Sequence, residues 1–353
     1  VAITTPVYAT REDVKDALDV KETARANSRI DRAIEAASRT VEGLLHRRFY
    51  PQTATRYFDW PNAQRARPWR LWLDDNELIS ITTLSSGGTT IAASDFFLEP
   101  NRNGPPYNQL QIDLDSSAAF GGGSTHQRDI TITGLYGYTN DETLVGDVDE
   151  AMTATETDLD VTDTAGIGVG SILRTGTERL LITEKAMKDT GVNIDAADSL
   201  TASVADVSIT MSTTTAAPTV GETILIDSER MLVVDKAGAV LTVKRAWDGS
   251  VLATHAAGAD IYAPRTLTVT RGALGTTAAT MAAGDDLYRW DPPSPVRELT
   301  IAEALNTLLQ GQSGYARTVG SGENTREMHG RGLRELRESV YTSHGRKGRI
   351  RGV

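Results

Sequence analysis

Val169–Lys185 reads VGSILRTGTERLLITEK, and Val220–Lys236 reads VGETILIDSERMLVVDK. The two align without a gap, with 6 of 17 positions identical. A second pair follows: Leu241–Tyr262 (LTVKRAWDGSVLATHAAGADIY) and Leu267–Tyr288 (LTVTRGALGTTAATMAAGDDLY) share 12 of 22 positions. Identity at this level marks duplication, not shared composition. The order of the copies decides the reading. Tandem copies would alternate first half and second half, whereas here both first halves precede both second halves. The simplest parse is nesting. Residues 220–262 form one complete module, its halves joined at Ala237-Gly238. An outer module begins near Thr157, breaks off after Lys185, resumes at Leu267 and ends near Trp290. A host loop tolerates such an insertion where its ends lie close together at the surface.

Each copy has the pattern of short strands. The pairs Glu178-Arg179 and Glu229-Arg230 lead into Leu180–Ile182 and Met231–Val233. Leu267–Val269 and Leu241–Val243 run into Arg271-Gly272 and Arg245-Ala246, and an Ala-Ala-Gly turn precedes the aspartates at 286 and 260. Small β-sandwich or barrel-like modules are expected. Because the Glu-Arg pair recurs in both copies, it is read as a structural salt bridge or turn.

Outward from the repeats the pattern changes. Thr10 to Val20 reads as a short helix, with Thr10 and Asp13 as a capping box. Thr23 to Arg47 reads as a longer one, with Ile30, Ala33, Ile34, Ala37, Val41, Leu44 and Leu45 on one face. Strand-like runs follow at 56–60, 70–73, 79–84, 96–98, 110–114 and 129–136, separated by turn signals such as Gly87-Gly88 and Asn103–Pro106. Helix returns after Pro295, with Val296, Leu299, Ala302, Leu305, Leu308 and Leu309 on one face, and a last short helix is expected over Leu333–Tyr341.

The predicted fold class is therefore α+β: a helical core with a β segment, plus a nested, duplicated all-β insertion. The core occupies 1–150 and 292–325, and the insertion 151–291. Within the insertion, the outer module takes 157–190 and 266–290 and the inner module 200–264. A basic tail covers 326–353.

The net charge of the 353 residues is −11. Residues 326–353 carry eight Arg/Lys and three Glu, or +5, which leaves −16 on the rest. An acidic body with a basic tail argues against general nucleic-acid binding by the body. The chain has no cysteine, so disulfides and thiolate sites are excluded. Its five histidines (46, 126, 255, 329 and 344) are not at metal-ligand spacing. No stretch approaches the ~20 apolar residues of a membrane helix. Val1 to Thr10 lacks the features of a secretion signal, so a soluble protein made in a cytoplasm, without a membrane partner, is expected.

The sequence has no Walker A, HExxH or GxSxG pattern. Asp74-Asp75 and Asp285-Asp286 are neighbours whose side chains leave a strand on opposite faces. Asp158, Asp160 and Asp163 lack the glycine and terminal glutamate of a calcium loop. Tyr57, Phe58, Trp60, Trp69 and Trp72, interleaved with Arg65, Arg67 and Arg70, fit a β-core with arginines along its edge better than a base-stacking platform. No nucleophile, base and oxyanion site assemble, and the chain is read as a non-enzyme without cofactor or metal.

With 151–291 set aside, the outer parts join into a pattern. It runs through Thr10–Leu18 (TREDVKDAL), Arg29–Leu45 (RIDRAIEAASRTVEGLL), His46–Pro51 (HRRFYP), Ile132–Tyr138 (ITGLYGY) and Pro292–Leu299 (PPSPVREL). This composite of roughly 200 residues resembles the head–tail connector (head-to-tail adaptor) proteins of long-tailed phages. It looks closest to adaptors of phages infecting actinobacteria, which often end in a basic segment like Gly345-Arg346-Lys347. The 151–291 insertion departs from a minimal connector.

The resemblance implies a structural virion protein at the neck, a homo-oligomeric ring typically of twelve subunits. Such a ring docks on the portal protein, extends the DNA channel without sequence specificity and offers a surface to stopper or other tail proteins. It also implies a portal- or DNA-contacting tail, here Arg334, Arg337, Tyr341, Arg346, Lys347, Arg349 and Arg351. An acidic lumen would let DNA slide past. Two other readings remain: a baseplate or tail-fibre protein whose β-modules bind a receptor, and a glycan-acting enzyme, for which segment 56–114 offers no paired-carboxylate geometry.

Overall fold

The computed structural model describes residues 3–18, 26–61, 67–312, 318–319, 326–327 and 331–347 of this α+β chain. Helix α1 (Arg11–Ala17) opens on the capping box: Asp13 N–H donates to the Thr10 hydroxyl, and Thr10 N–H donates to the Asp13 carboxylate. Helix α2 (Asn27–Leu45) buries Ile30, Ala33, Ile34, Ala37, Val41 and Leu45. This is the apolar stripe its three- and four-residue spacing dictates.

Strands β1 (Gln52–Phe58), β3 (Leu78–Ser86), β4 (Thr89–Ile91) and β7 (Ile130–Tyr136) form one antiparallel sheet in the order β1-β7-β3-β4. Strands β2 (Arg70–Trp72), β5 (Phe96–Glu99) and β6 (Gln109–Ile112) form a second in the order β2-β6-β5. Both sheets close over one core that includes Leu73, Leu78, Leu84, Leu110, Ile130 and Ile132. Alternate β7 residues point into it, as a half-buried strand requires.

Ten strands make up the third sheet. They are β8 (Glu142–Asp147), β9 (Asp158–Asp160), β10 (Ile172–Thr175), β11 (Glu178–Asn193), β12 (Ser208–Thr210), β13 (Thr223–Ile226), β14 (Glu229–Ala237), β15 (Val240–Lys244), β16 (Asp260–Thr270) and β17 (Asp286–Trp290). Two strands are long. β11 has 16 residues and β16 has 11, and they pair antiparallel from Leu181↔Thr270 to Asn193↔Asp260. Irregularities interrupt that register at three places, between Ile182 and Glu184, Ala186 and Lys188, and Asp189 and Val192.

On one side of these two strands lie β10, β17, β8 and β9, and a bridge between Val148 and Val161 joins the β8 end to the β9 end. On the other side lie β13, β14, β15 and β12, and a bridge between Ile194 and Met211 closes that circuit in the same way. Each side is a small closed barrel, and β11 and β16 belong to both. Leu159, Val161, Leu173, Leu180, Ile182, Leu267, Val269 and Leu287 fill the first barrel. Ile209, Met211, Ile224, Met231, Val233, Leu241, Val243 and Ile261 fill the second. Each such side chain contributes about 1.5–3 kcal/mol by leaving water. The aligned copies sit at matching places, with Leu180 and Ile182 of one answering to Met231 and Val233 of the other. β8, upstream of residue 151, completes the first barrel by pairing with β17.

Helix α3 (Ser294–Gln312) leaves the first barrel and packs on α2 through Val296, Leu299, Ala304 and Leu308, whereas Leu309 is 41% exposed. Two short strands, β18 (Thr318–Val319) and β19 (Arg326–Glu327), pair with each other. Helix α4 (Arg331–His344) then lays Leu333, Leu336 and Val340 on the shared core. That core also draws Ile172, Leu181 and Trp290 from the first barrel, so the helices and this barrel are one packed body. Arg11 seals the joint, its guanidinium bonding Asp31 of α2 (2.8 Å) and Glu184 of β11 (2.9 Å).

Candidate functional site

The C-terminus of α2 organises the most featured surface. His46 ends the helix in the left-handed region at φ 51° and turns the chain so that Phe49 is fully buried while Arg48 stays exposed. Phe49 N–H donates to the Tyr8 hydroxyl (3.2 Å), which itself donates to Glu42 (2.8 Å). Burial, and then the negative charge of Glu42, push the Tyr8 pKa well above its ordinary value, so Tyr8 stays a neutral donor. Gly137 completes the corner. Its φ of 142° and the Tyr50 carbonyl 2.5 Å from where a Cβ would sit require glycine there.

The end of the tail helix meets this corner. Arg47 donates to the His344 carbonyl (2.7 Å) and to Glu77 (2.9 Å), and its guanidinium lies 4.8 Å from the Tyr138 ring centroid. Arg346 N–H donates to the Leu45 carbonyl (2.9 Å), and its guanidinium stands 3.5 Å from Glu77. Burial, and then the charge of Arg47, lower the His344 pKa.

A cleft of about 470 Å³ opens between the last turns of α2, the start of β1, the Asp75–Glu77 loop and Tyr136-Gly137. Two of its carboxylates are already engaged: Glu42 by Arg39 and Tyr8, and Glu77 by Arg47 and Arg346. Among the described residues, Asp75 accepts a bond from Asn76 and has no ion pair. The Arg56 guanidinium lies 4.0 Å from the Tyr136 ring centroid and donates to Asn76 (2.7 Å), with no ion-pair partner among the described residues. Arg48 has neither an ion pair nor a hydrogen bond among the described residues. Burial is the main force lowering the Arg56 pKa; Tyr136 and Asp75 oppose it and Arg48 adds to it. Arg56 still carries its charge.

Gly43 forms part of the same wall, in the last turn of α2, and among the described residues no atom beyond the helix's own backbone lies within 4 Å of a Cβ added there. A helical glycine is about 0.5–1 kcal/mol less favourable than alanine. Packing within the subunit therefore does not explain this glycine.

The repeat pairs form a second constellation. Glu178 and Glu229 are fully buried, and each bonds an arginine from the other half of its module. Arg271 grips Glu178, and Arg245 grips Glu229. Each glutamate also accepts two backbone N–H bonds, from Gly272 and Ala279 or from Ala246 and Ala253. Arg271 reaches the carbonyls of Thr153 and Glu156, and Arg245 those of Thr201 and Asp206. The bridge expected of the Glu-Arg repeat thus runs from its glutamate to the second half-motif. Arg179 and Arg230 turn instead toward Asn140 and Asp248. These bonds hold Glu178 below the usual carboxylate range and Glu229 at about 2, against the opposing effect of burial.

His255 lies beside Glu229, where the aligned residue of the other copy is Met281. Its ring nitrogens meet Asp227 (2.8 Å) and Glu229 (3.0 Å). Both nitrogens are occupied by carboxylates, so neither is left to take a proton from a nucleophile.

The tail residues have diverse places. Arg334, Tyr341 and Lys347 are exposed. Arg337 binds Glu303 of α3 (2.7 Å), and Arg346 belongs to the corner. Arg349 and Arg351 lie outside the described residues. In the aromatic segment, Phe58, Trp60 and Trp69 pack against the β-core, Arg67 lies over Trp69, and Tyr57 is covered by Arg128; Arg65 is outside the described residues. Asp158, Asp160 and Asp163 bond Thr268, Lys188 and Thr219 respectively. No cluster of three or more possible ligand side chains is placed to hold a metal among the described residues, and no described helix is long and apolar enough to cross a membrane.

No family model matches the chain, and no curated protein or solved structure is significantly similar to it.

Proposed function

We propose that this chain is a non-enzymatic virion protein, a ring subunit of the head-to-tail adaptor at the neck of a long-tailed phage. One observation carries the reading. Four of the five segments that resemble connector proteins, far apart in sequence, share one core: the end of α2, Phe49 and Tyr50 of His46–Pro51, Tyr138 and the start of α3, with Tyr8 and the tail helix packed on it, while Thr10–Leu18 packs in the neighbouring core beside Ile30 and Ile34. A corner tied together in this way suits a subunit whose neighbours and portal grip it at one end. On this reading Arg334, Tyr341 and Lys347 are free to face the portal or DNA phosphate, while Arg337 and Arg346 position the tail helix. The acidic body suits a channel along which DNA slides.

We read the two barrels as a duplication in which one copy grew within a loop of the other, carried on the outside of the ring. The matched Glu178–Arg271 and Glu229–Arg245 pairs support that history.

The test is immunogold labelling of intact phage particles with an antibody against residues 151–291. Label at the neck is expected. Label at the tail tip would replace this reading with receptor binding, and absence from intact and opened particles would remove the protein from the virion.

A further inference from the structure

We propose that the cleft beside Gly43 is a contact site for a second copy of this chain, receiving an acidic surface segment whose carboxylate closes on Arg48 and Arg56. The inference deepens the ring reading and rests on it. Three observations lead to it. First, the two arginines face the same cleft, and neither has an ion-pair partner among the described residues, although the other cleft arginines, Arg39 and Arg47, each have one. Arg56 is held in place by Asn76 and by the Tyr136 face, so its free N–H groups are pre-oriented for a planar acceptor. Asp75 on the rim answers one of these charges at a distance and leaves a net positive cleft.

Second, Gly43 keeps the helix wall bare where no described residue of the subunit fills the room. A bare helix wall permits close approach by another backbone. Third, the occupant's chemistry is abundant in the molecule itself, because outside residues 326–353 the chain carries −16. A cationic cleft on one face and acidic surface elsewhere make a head-to-tail contact, the kind that closes into rings. Charge complementarity of this sort sets partner choice and register.

Sedimentation velocity of the full-length chain tests this, run from micromolar to millimolar protein at low and physiological salt. Wild type is expected to self-associate, more strongly at low salt. Arg48→Glu is expected to weaken association by about tenfold or more. Gly43→Gln is expected to melt at or above the wild-type temperature and yet lose association, a combination that a role confined to the subunit would not produce. A wild-type chain that stays monomeric throughout, or variants that associate like wild type, would overturn the proposal. Neck labelling with a monomeric chain would sink this contact and leave the adaptor reading standing. Association through the cleft without virion labelling would do the reverse.

Discussion

Glu229 and Arg245 lie side by side in the second barrel, joined by two 2.8 Å bonds and both almost wholly buried. Removing one partner strands the other charge in the core. Glu229→Ala is expected to lower unfolding stability by about 3–5 kcal/mol. Replacing both with apolar side chains of similar volume should cost much less. Urea unfolding of the two variants checks this, and a single variant as stable as the double one would contradict it.

The same carboxylate gives a pH dependence. Its folded pKa of about 2 lies below the ordinary 4.5, so the unfolded chain binds the proton more tightly. The stability it contributes is fully present above about pH 4.5 and is lost as pH falls toward 2. Glu178 and Glu222 are depressed in the same direction. Thermal melts across this range should show Glu229→Gln with a flatter acid limb than wild type; parallel curves would mean other groups dominate.

Tyr8 holds the corner through its hydroxyl. Tyr8→Phe leaves Phe49 N–H and Glu42 without their bonds at a buried position. A loss of about 1–3 kcal/mol is expected in the urea midpoint comparison. A change near zero would show that water replaces the hydroxyl.

Lys15 of α1 reaches Asp248 in the turn after β15 at 2.8 Å, tying a core helix to the second barrel. Lys15→Ala should change global stability by less than about 1 kcal/mol, as partly exposed pairs do. Amide exchange in residues 247–249 should quicken. Unchanged exchange there would show that the turn holds itself.

The local features were legible in sequence because local chemistry decides them. The Thr10–Asp13 box fixes the start of α1, and the spacing of Ile30, Ile34, Ala37 and Val41 fixes the face of α2. The copied halves pointed to two related β units. The pairing of Glu178 with Arg271 was beyond reach, since the partners are 93 residues apart and each has a closer decoy of opposite charge. Only Leu180–Ile182 read as strand and the copied segment ends at Lys185, whereas β11 continues to Asn193; register irregularities break its alternation. β8 lacks a copied partner in the aligned segments, so nothing in the repeat announced it. The cleft is assembled from α2, β1, the 75–77 loop and β7, elements far apart in sequence, and Arg56 looked like any strand arginine.

β11 and β16 belong to both barrels, and this has a mechanical consequence. A flexible linker would let the distal barrel swing. Here two antiparallel strands cross the boundary together, and Arg265 on β16 grips Glu222 (2.8 Å) while Glu222 accepts the Thr164 hydroxyl (3.0 Å) from the first barrel. A sideways push on the distal barrel must therefore bend a hydrogen-bonded ribbon, and a pull along it loads those bonds in shear. The first barrel is in turn tied to α1 through Arg11 and Glu184, so a load applied to the distal barrel is expected to reach the helices.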